Sequence, residues 1–166
     1  MAKTICPCVN IVYIFPAKIT NRERKLPILQ HHKFNDMQKQ LNAVKEFHSA
    51  FGLGVSEVPV GDLGESVNRL RFNLMKEENE EYLEAVMNDD RTEIADALGD
   101  MLYILCGTII SHGLQHKIEA VFDEIQRSNM SKLGHDGKPI YREDGKVMKG
   151  PNYFKPDFSS ILAESL

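Results

Sequence analysis

Between Glu65 and Met87 the chain runs without glycine or proline through residues that are mostly good helix formers, which commits the stretch to one long helix. Stepping along it by three or four from Val67 visits Leu70, Leu74, Glu78, Glu81 and Ala85, so a stripe that begins as core turns acidic halfway. Carboxylates in line with a buried stripe are costly unless a cation compensates them. Glu77, Glu80 and Glu84 lie on neighbouring faces, and for Glu80 and Glu84 a solvated acidic surface is the simpler reading.

The flanking segments are helical as well. From Phe34, the residues Met37, Leu41, Val44, Phe47 and Phe51 recur at helical spacing until Gly52 and Gly54 stop the run. A third helix is expected from Asn88-Asp89-Asp90 to Gly113, and a fourth from Gln115 to Asn129 with Ile118, Val121, Phe122 and Ile125 as its inward stripe. Asp62-x-x-Glu65 and Asp90-x-x-Glu93 are candidate capping boxes for the second and third helices. Short connections between four helices predict an all-α chain, an antiparallel four-helix bundle with an irregular C-terminal tail.

The organisation read from composition is an N-terminal extension over residues 1–33, the helical bundle over 34–133 and a tail over 134–166 that packs on the bundle. The extension carries the β-leaning run VNIVYIF and the pair His31-His32. In the tail, Ile140-Tyr141 and Val147-Met148 can pair as a small hairpin, and Asp157 can cap a last short helix. With 166 residues, a second core has little room.

The third helix is apolar nearly all round from Ala97 to Ile110 except for Asp100, which is therefore expected in or beside the core. Asp96 lies one turn earlier on the same side and Glu93 seven residues before Asp100, so three carboxylates can line one edge. Glu93 has an equal alternative role as the reach-back residue of its capping box. If the second and third helices pack antiparallel, Glu78 and Glu81 face Asp96 and Asp100. Such an all-oxygen cluster favours Mg²⁺, or Mn²⁺, over zinc. A bundle di-iron site would need Glu-x-x-His on two helices, and neither acidic helix has it.

Twenty Lys+Arg against 24 Asp+Glu give a net charge of -4, which argues against a nucleic-acid partner. Three cysteines suggest no disulfide framework, and VNIVYIF is too short to span a bilayer, so the expectation is a reduced cytoplasmic chain without a membrane partner. Phe47, His48 and Phe51 gather on the first helix, where aromatics are more often core than binding platform. His112 and His116 read as structural or solvent residues, with Gly113 between them.

The run KEENEEYLEA (76–85) followed by EIADALGDMLY (93–103) resembles the MazG-like, phosphoribosyl-ATP pyrophosphohydrolase-like superfamily of all-α nucleoside triphosphate pyrophosphohydrolases. FNDMQKQLNAVKEFHSAFG before it, and SNMSK and GKVMKGPNYFKP after it, extend the similarity over roughly residues 34–158. The resemblance implies metal ligation by Glu78, Glu81 and Asp100, with Asp96 or Glu93 supplying the ligand that many relatives carry where this chain has Ala97. It implies Mg²⁺-dependent hydrolysis of a (deoxy)nucleoside triphosphate to monophosphate and pyrophosphate, with Glu77 or Glu78 as base. Arg127, Asn129, Lys132 and, more weakly, Lys149 are the expected cations and donors for phosphate. Lys146 reads as a surface residue. Members are usually dimers or tetramers, so a homodimer or homotetramer is expected. The rival reading is a non-catalytic nucleotide-binding or interaction protein of the same fold.

Overall fold

The computed structural model describes residues 37–163. The extension, with its apolar run, its cysteines and the His31-His32 pair, lies outside the described residues, as does Phe34. The described residues are all-α: α1 (Met37–Ala50), α2 (Glu65–Met87), α3 (Arg91–Ser111), α4 (Ile118–Met130) and α5 (Ser159–Ala163). The expected hairpin is reduced to one isolated antiparallel bridge between Tyr141 and Val147.

The described residues divide into two compact units, 37–122 with 158–163, and 123–157. The first has its core at Leu41, Val44, Cys106, Ile109 and Ile110, with Met37, Val55, Leu114 and Ile118 packed against it. In it α2 and α3 form an antiparallel hairpin. Near the start of α2, Arg71 donates from Nε to Thr108 Oγ1 (3.1 Å) and from Nη2 to the carbonyl of Ile104 (3.0 Å), both late in α3. At the other end the Asp90 N–H bonds the carbonyl of Ala85. Gly107 makes room for this pairing, because a Cβ there would strike Arg71 Nη2 and lie 2.9 Å from His48 Nε2.

Asp90 caps α3, its side chain accepting from the backbone N–H groups of Thr92 (3.0 Å) and Glu93 (3.2 Å). The box is half made: the Asp90 N–H is taken by Ala85, so Glu93 has nothing to reach back for. The first box is replaced altogether. Gly64, at φ 88°, is the N-cap of α2, and Asp62 instead accepts from the Gly64 N–H and from Asn68 Nδ2.

The stripe of α2 that faces α3 is Arg71, Leu74, Met75, Glu78 and Ala85, one residue out of step with the expected one at its start; Val67 and Leu70 are exposed. On α3 the matching positions are Ile94, Ala97, Met101, Ile104 and Thr108. Turning 100° per residue, the hairpin therefore has two opposite flanks. Phe72, Leu83 and Val86 of α2 share one with Leu98, Leu102 and Leu105 of α3; Glu77 and Glu81 share the other with Asp96, Asp100 and Tyr103. Asp100 is exposed on that flank rather than in the core, because α1 and α2 cover only part of α3's apolar girth. By length and composition α3 is apolar enough to cross a membrane, and it is only partly buried by its neighbours.

In the second unit the expected inward stripe of α4 is also displaced. Ile125 is exposed, as is Phe122 just before this unit, while Glu124 and Ser128 are buried. The polar residues win because the following segment satisfies them. Glu124 accepts the Asp157 N–H (3.0 Å) and pairs with Arg127; Ser128 Oγ donates to the Phe154 carbonyl (2.8 Å), and Ser131 Oγ accepts the Phe154 N–H (3.2 Å).

Candidate functional site

Glu78 is the centre of the acidic flank. It sits half-buried on the α3-facing stripe, and its Oε2 is buried with no hydrogen-bond partner. Burial pushes its carboxyl pKa above the usual range, and the charges of Glu81, Asp100, Glu77 and Asp96 push it further in the same direction. These acids are brought together by helical register alone: Glu77, Glu78 and Glu81 along α2, and Asp96 and Asp100 one turn apart on α3. Glu93 is exposed, and the strongest charges acting on Glu78 come from Glu81, Asp100, Glu77 and Asp96. Ala97 is buried at 3% exposure, on the stripe that faces α2.

An unpartnered buried carboxylate oxygen among like charges is a donor set that fits a hard divalent cation. Among the described residues, no three Asp, Glu, His or Cys side chains already stand close enough together to hold an ion. Glu81, Asp96 and Asp100 are exposed side chains with freedom to turn. An open depression lined by Asp62, Glu65, Asn68, Arg69 and Phe72 lies at the start of α2 and contains none of the acids acting on Glu78.

The expected phosphate-binding residues all lie in the second unit, and all four are already engaged there. Arg127 forks onto Glu124 and lies 4.4 Å from the ring centre of Phe154. Lys132 Nζ donates to Asn129 Oδ1 (2.7 Å), and Lys149 lies 4.3 Å over the Tyr153 ring. Lys146 is exposed in the turn after the Arg142–Asp144 ion pair.

Two features were not anticipated. Arg71 occupies the same stripe as Glu78, two turns earlier, and is held by a hydroxyl and a carbonyl rather than by a carboxylate; burial lowers its pKa. The signal was an arginine in a helix otherwise read by its leucines. Tyr103 stands one turn beyond Asp100, in edge contact with Phe47. Of the first-helix aromatics, His48 is buried, its Nδ1 donating to the Gly54 carbonyl at 3.0 Å, whereas Phe47 and Phe51 reach the surface. His112 Nδ1 donates to the Val60 carbonyl (2.7 Å), a structural role.

Fold and site together define a class, an all-α protein whose helical hairpin gathers carboxylates around one unpartnered oxygen. The family described as phosphoribosyl-ATP pyrophosphohydrolase matches residues 44–129, and the chain belongs to it, within the MazG-like superfamily its motifs resemble. The chain is 35% identical over 126 residues to the uncharacterised protein L479 of Acanthamoeba polyphaga mimivirus, covering 70% of this chain and 49% of that protein. It thus spans about half the length of this curated relative. A crystal structure of a candidate NTP pyrophosphohydrolase from Exiguobacterium sp. 255-15 is 26% identical, covering 73% of this chain and 89% of that one, with a TM-score of 0.39.

Proposed function

We propose that this chain hydrolyses a (deoxy)nucleoside triphosphate to nucleoside monophosphate and pyrophosphate in a Mg²⁺-dependent reaction. The observation that carries the reading is the buried, unpartnered Oε2 of Glu78 amid Glu77, Glu81, Asp96 and Asp100. Family membership supports the same reading.

Glu78, Glu81, Asp96 and Asp100 are the residues that would hold Mg²⁺; Asp96 is preferred to Glu93 as the substitute for the acid missing at Ala97 because its charge reaches Glu78. Bound Mg²⁺, with Mn²⁺ as its substitute, would supply charge neutralisation for the phosphates and acidify water. Of the two candidate bases, Glu77 and Glu78, the latter lies on the stripe that faces α3 and keeps one oxygen without a hydrogen-bond partner, free to accept a proton. The attacking water gives its proton to that carboxylate, and the α–β anhydride bond breaks with pyrophosphate as the leaving group.

The test is a panel of NTPs and dNTPs with Mg²⁺, reading pyrophosphate and monophosphate. Release that EDTA and Glu81→Gln both abolish is the expected result. A second reading, a non-catalytic nucleotide binder of the same fold, has the buried Ala97 in its favour. It predicts a nucleotide-dependent rise in melting temperature with no product.

The apolar flank of the hairpin supports a homodimer or homotetramer. Leu83, Leu98, Leu102 and Leu105 are each more than 40% exposed, and pairing two such flanks makes a four-helix contact between copies. Light scattering at micromolar concentration should give two or four times 18.9 kDa, and Leu102→Glu should lower it. A monomeric mass for the unaltered protein would refute the oligomer.

A further inference from the structure

The aromatic cluster at the end of the acidic flank belongs to no core. Phe47 and Phe51 of α1 have ring centres 4.3 Å apart at 32°, and Tyr103 of α3 meets Phe47 edge-on at 5.7 Å and 82°. The three remain 38%, 67% and 41% exposed, and none is part of the cluster of Leu41, Val44, Cys106, Ile109 and Ile110. Their place on the helices is informative. Asp96, Asp100 and Tyr103 follow one another at i, i+4 and i+7, so the rings continue the carboxylate flank one turn, ~5 Å of helix axis, beyond Asp100.

From this juxtaposition we propose that Phe47, Phe51 and Tyr103 form a stacking platform for the base of the nucleotide whose phosphates are handled at Glu78 and its neighbours. The inference rests on the function proposed above and adds the part of the ligand that the acids do not recognise. A ligand with a planar heteroaromatic base spans both patches, whereas a bare polyphosphate engages only the acidic one. Stacking on a protein ring is tolerant of base identity, because every base has a π-face, so the platform contributes affinity for nucleotides as a class. Phe51, the most exposed of the three, carries the open ring face.

Two measurements test this, chosen so that either can fail alone. With the active enzyme, Phe51→Ala should raise KM about tenfold and leave kcat within about twofold, while inhibition by inorganic tripolyphosphate is unchanged; Phe51→Tyr should restore KM. An unchanged KM in Phe51→Ala overturns the platform and leaves the hydrolase standing. The second measurement needs no turnover. Nucleoside monophosphates titrated in EDTA should show saturation-transfer contacts from their base protons to the protein, lost in Phe51→Ala and kept in Glu81→Gln. If the protein hydrolyses nothing, these contacts still decide the matter: their presence supports the platform on a binder, and their absence overturns it. Circular dichroism checks that the alanine variant is folded.

Discussion

Glu78→Gln should change activity and stability in opposite directions. Pyrophosphate release should fall by about 10²–10⁴-fold, the range expected when a general base is lost, and further if a cation ligand goes with it. Yet in EDTA the variant should melt at a higher temperature than the unaltered protein. In the wild type a carboxylate with one buried, unpartnered oxygen faces Glu81, Asp100, Glu77 and Asp96, and the amide removes that charge while offering an N–H to a neighbouring carboxylate. In a chain of this size a rise of about 2–4 °C corresponds to relief of roughly 1 kcal/mol. With Mg²⁺ present the gain should shrink or reverse, because the cation neutralises the cluster only where Glu78 remains. Paired melts in EDTA and Mg²⁺ measure it. A lower melting temperature in EDTA would mean that the cluster carries no electrostatic penalty, and the proposed function would lose the observation that carries it.

The helices were legible because punctuation and periodicity agree. Glycines end α1 and α3, and the span of α2 is set by Gly64 and by Asn88-Asp89-Asp90, where Asp89 has a positive φ of 53°. The acidic conflict within α2 was legible for the same reason, since a 3.6-residue period leaves little freedom about which residues share a face. What the period does not specify is which of two adjacent apolar rows turns inward. Along α2 the row through Leu70 loses to the row through Arg71, because Arg71 finds two acceptors at Thr108 and Ile104. On α4 Ile118 stays packed against the core, but Phe122 and Ile125 lose their inward places to Glu124 and Ser128, whose partners, Asp157 and Phe154, stand 33 and 26 residues along the chain. Asp100 was misplaced by a related assumption, that an apolar helix is a surrounded one. Hydrogen bonds between distant segments decide these cases, and no local pattern encodes them.

Gly113→Ala should be among the most destabilising single substitutions in the first unit, at roughly 3–4 kcal/mol. Two costs add there. Gly113 has a φ of 68°, a conformation that is strained for a residue with a Cβ, and the added Cβ would collide with the carbonyl of Val58. Relief by moving the loop is blocked, because residues 56–60 are laced onto the end of α3. The Ser56 N–H bonds the Ile110 carbonyl (3.1 Å), the Val60 N–H bonds the His112 carbonyl (2.9 Å), and the side chains of His112 and Gln115 donate to the carbonyls of Val60 (2.7 Å) and Ser56 (2.8 Å). Shifting the loop forfeits such bonds at about 1 kcal/mol each. Gly145→Ala separates the two costs: its φ is 84°, but a Cβ there meets nothing within 4 Å, so only the backbone strain of about 1 kcal/mol remains. Thermal melts should place Gly113→Ala roughly 6–16 °C below the unaltered protein and Gly145→Ala within a few degrees of it. Equal shifts would show that the loop yields freely, and that its hydrogen bonds to α3 add little to the unit that positions the carboxylates.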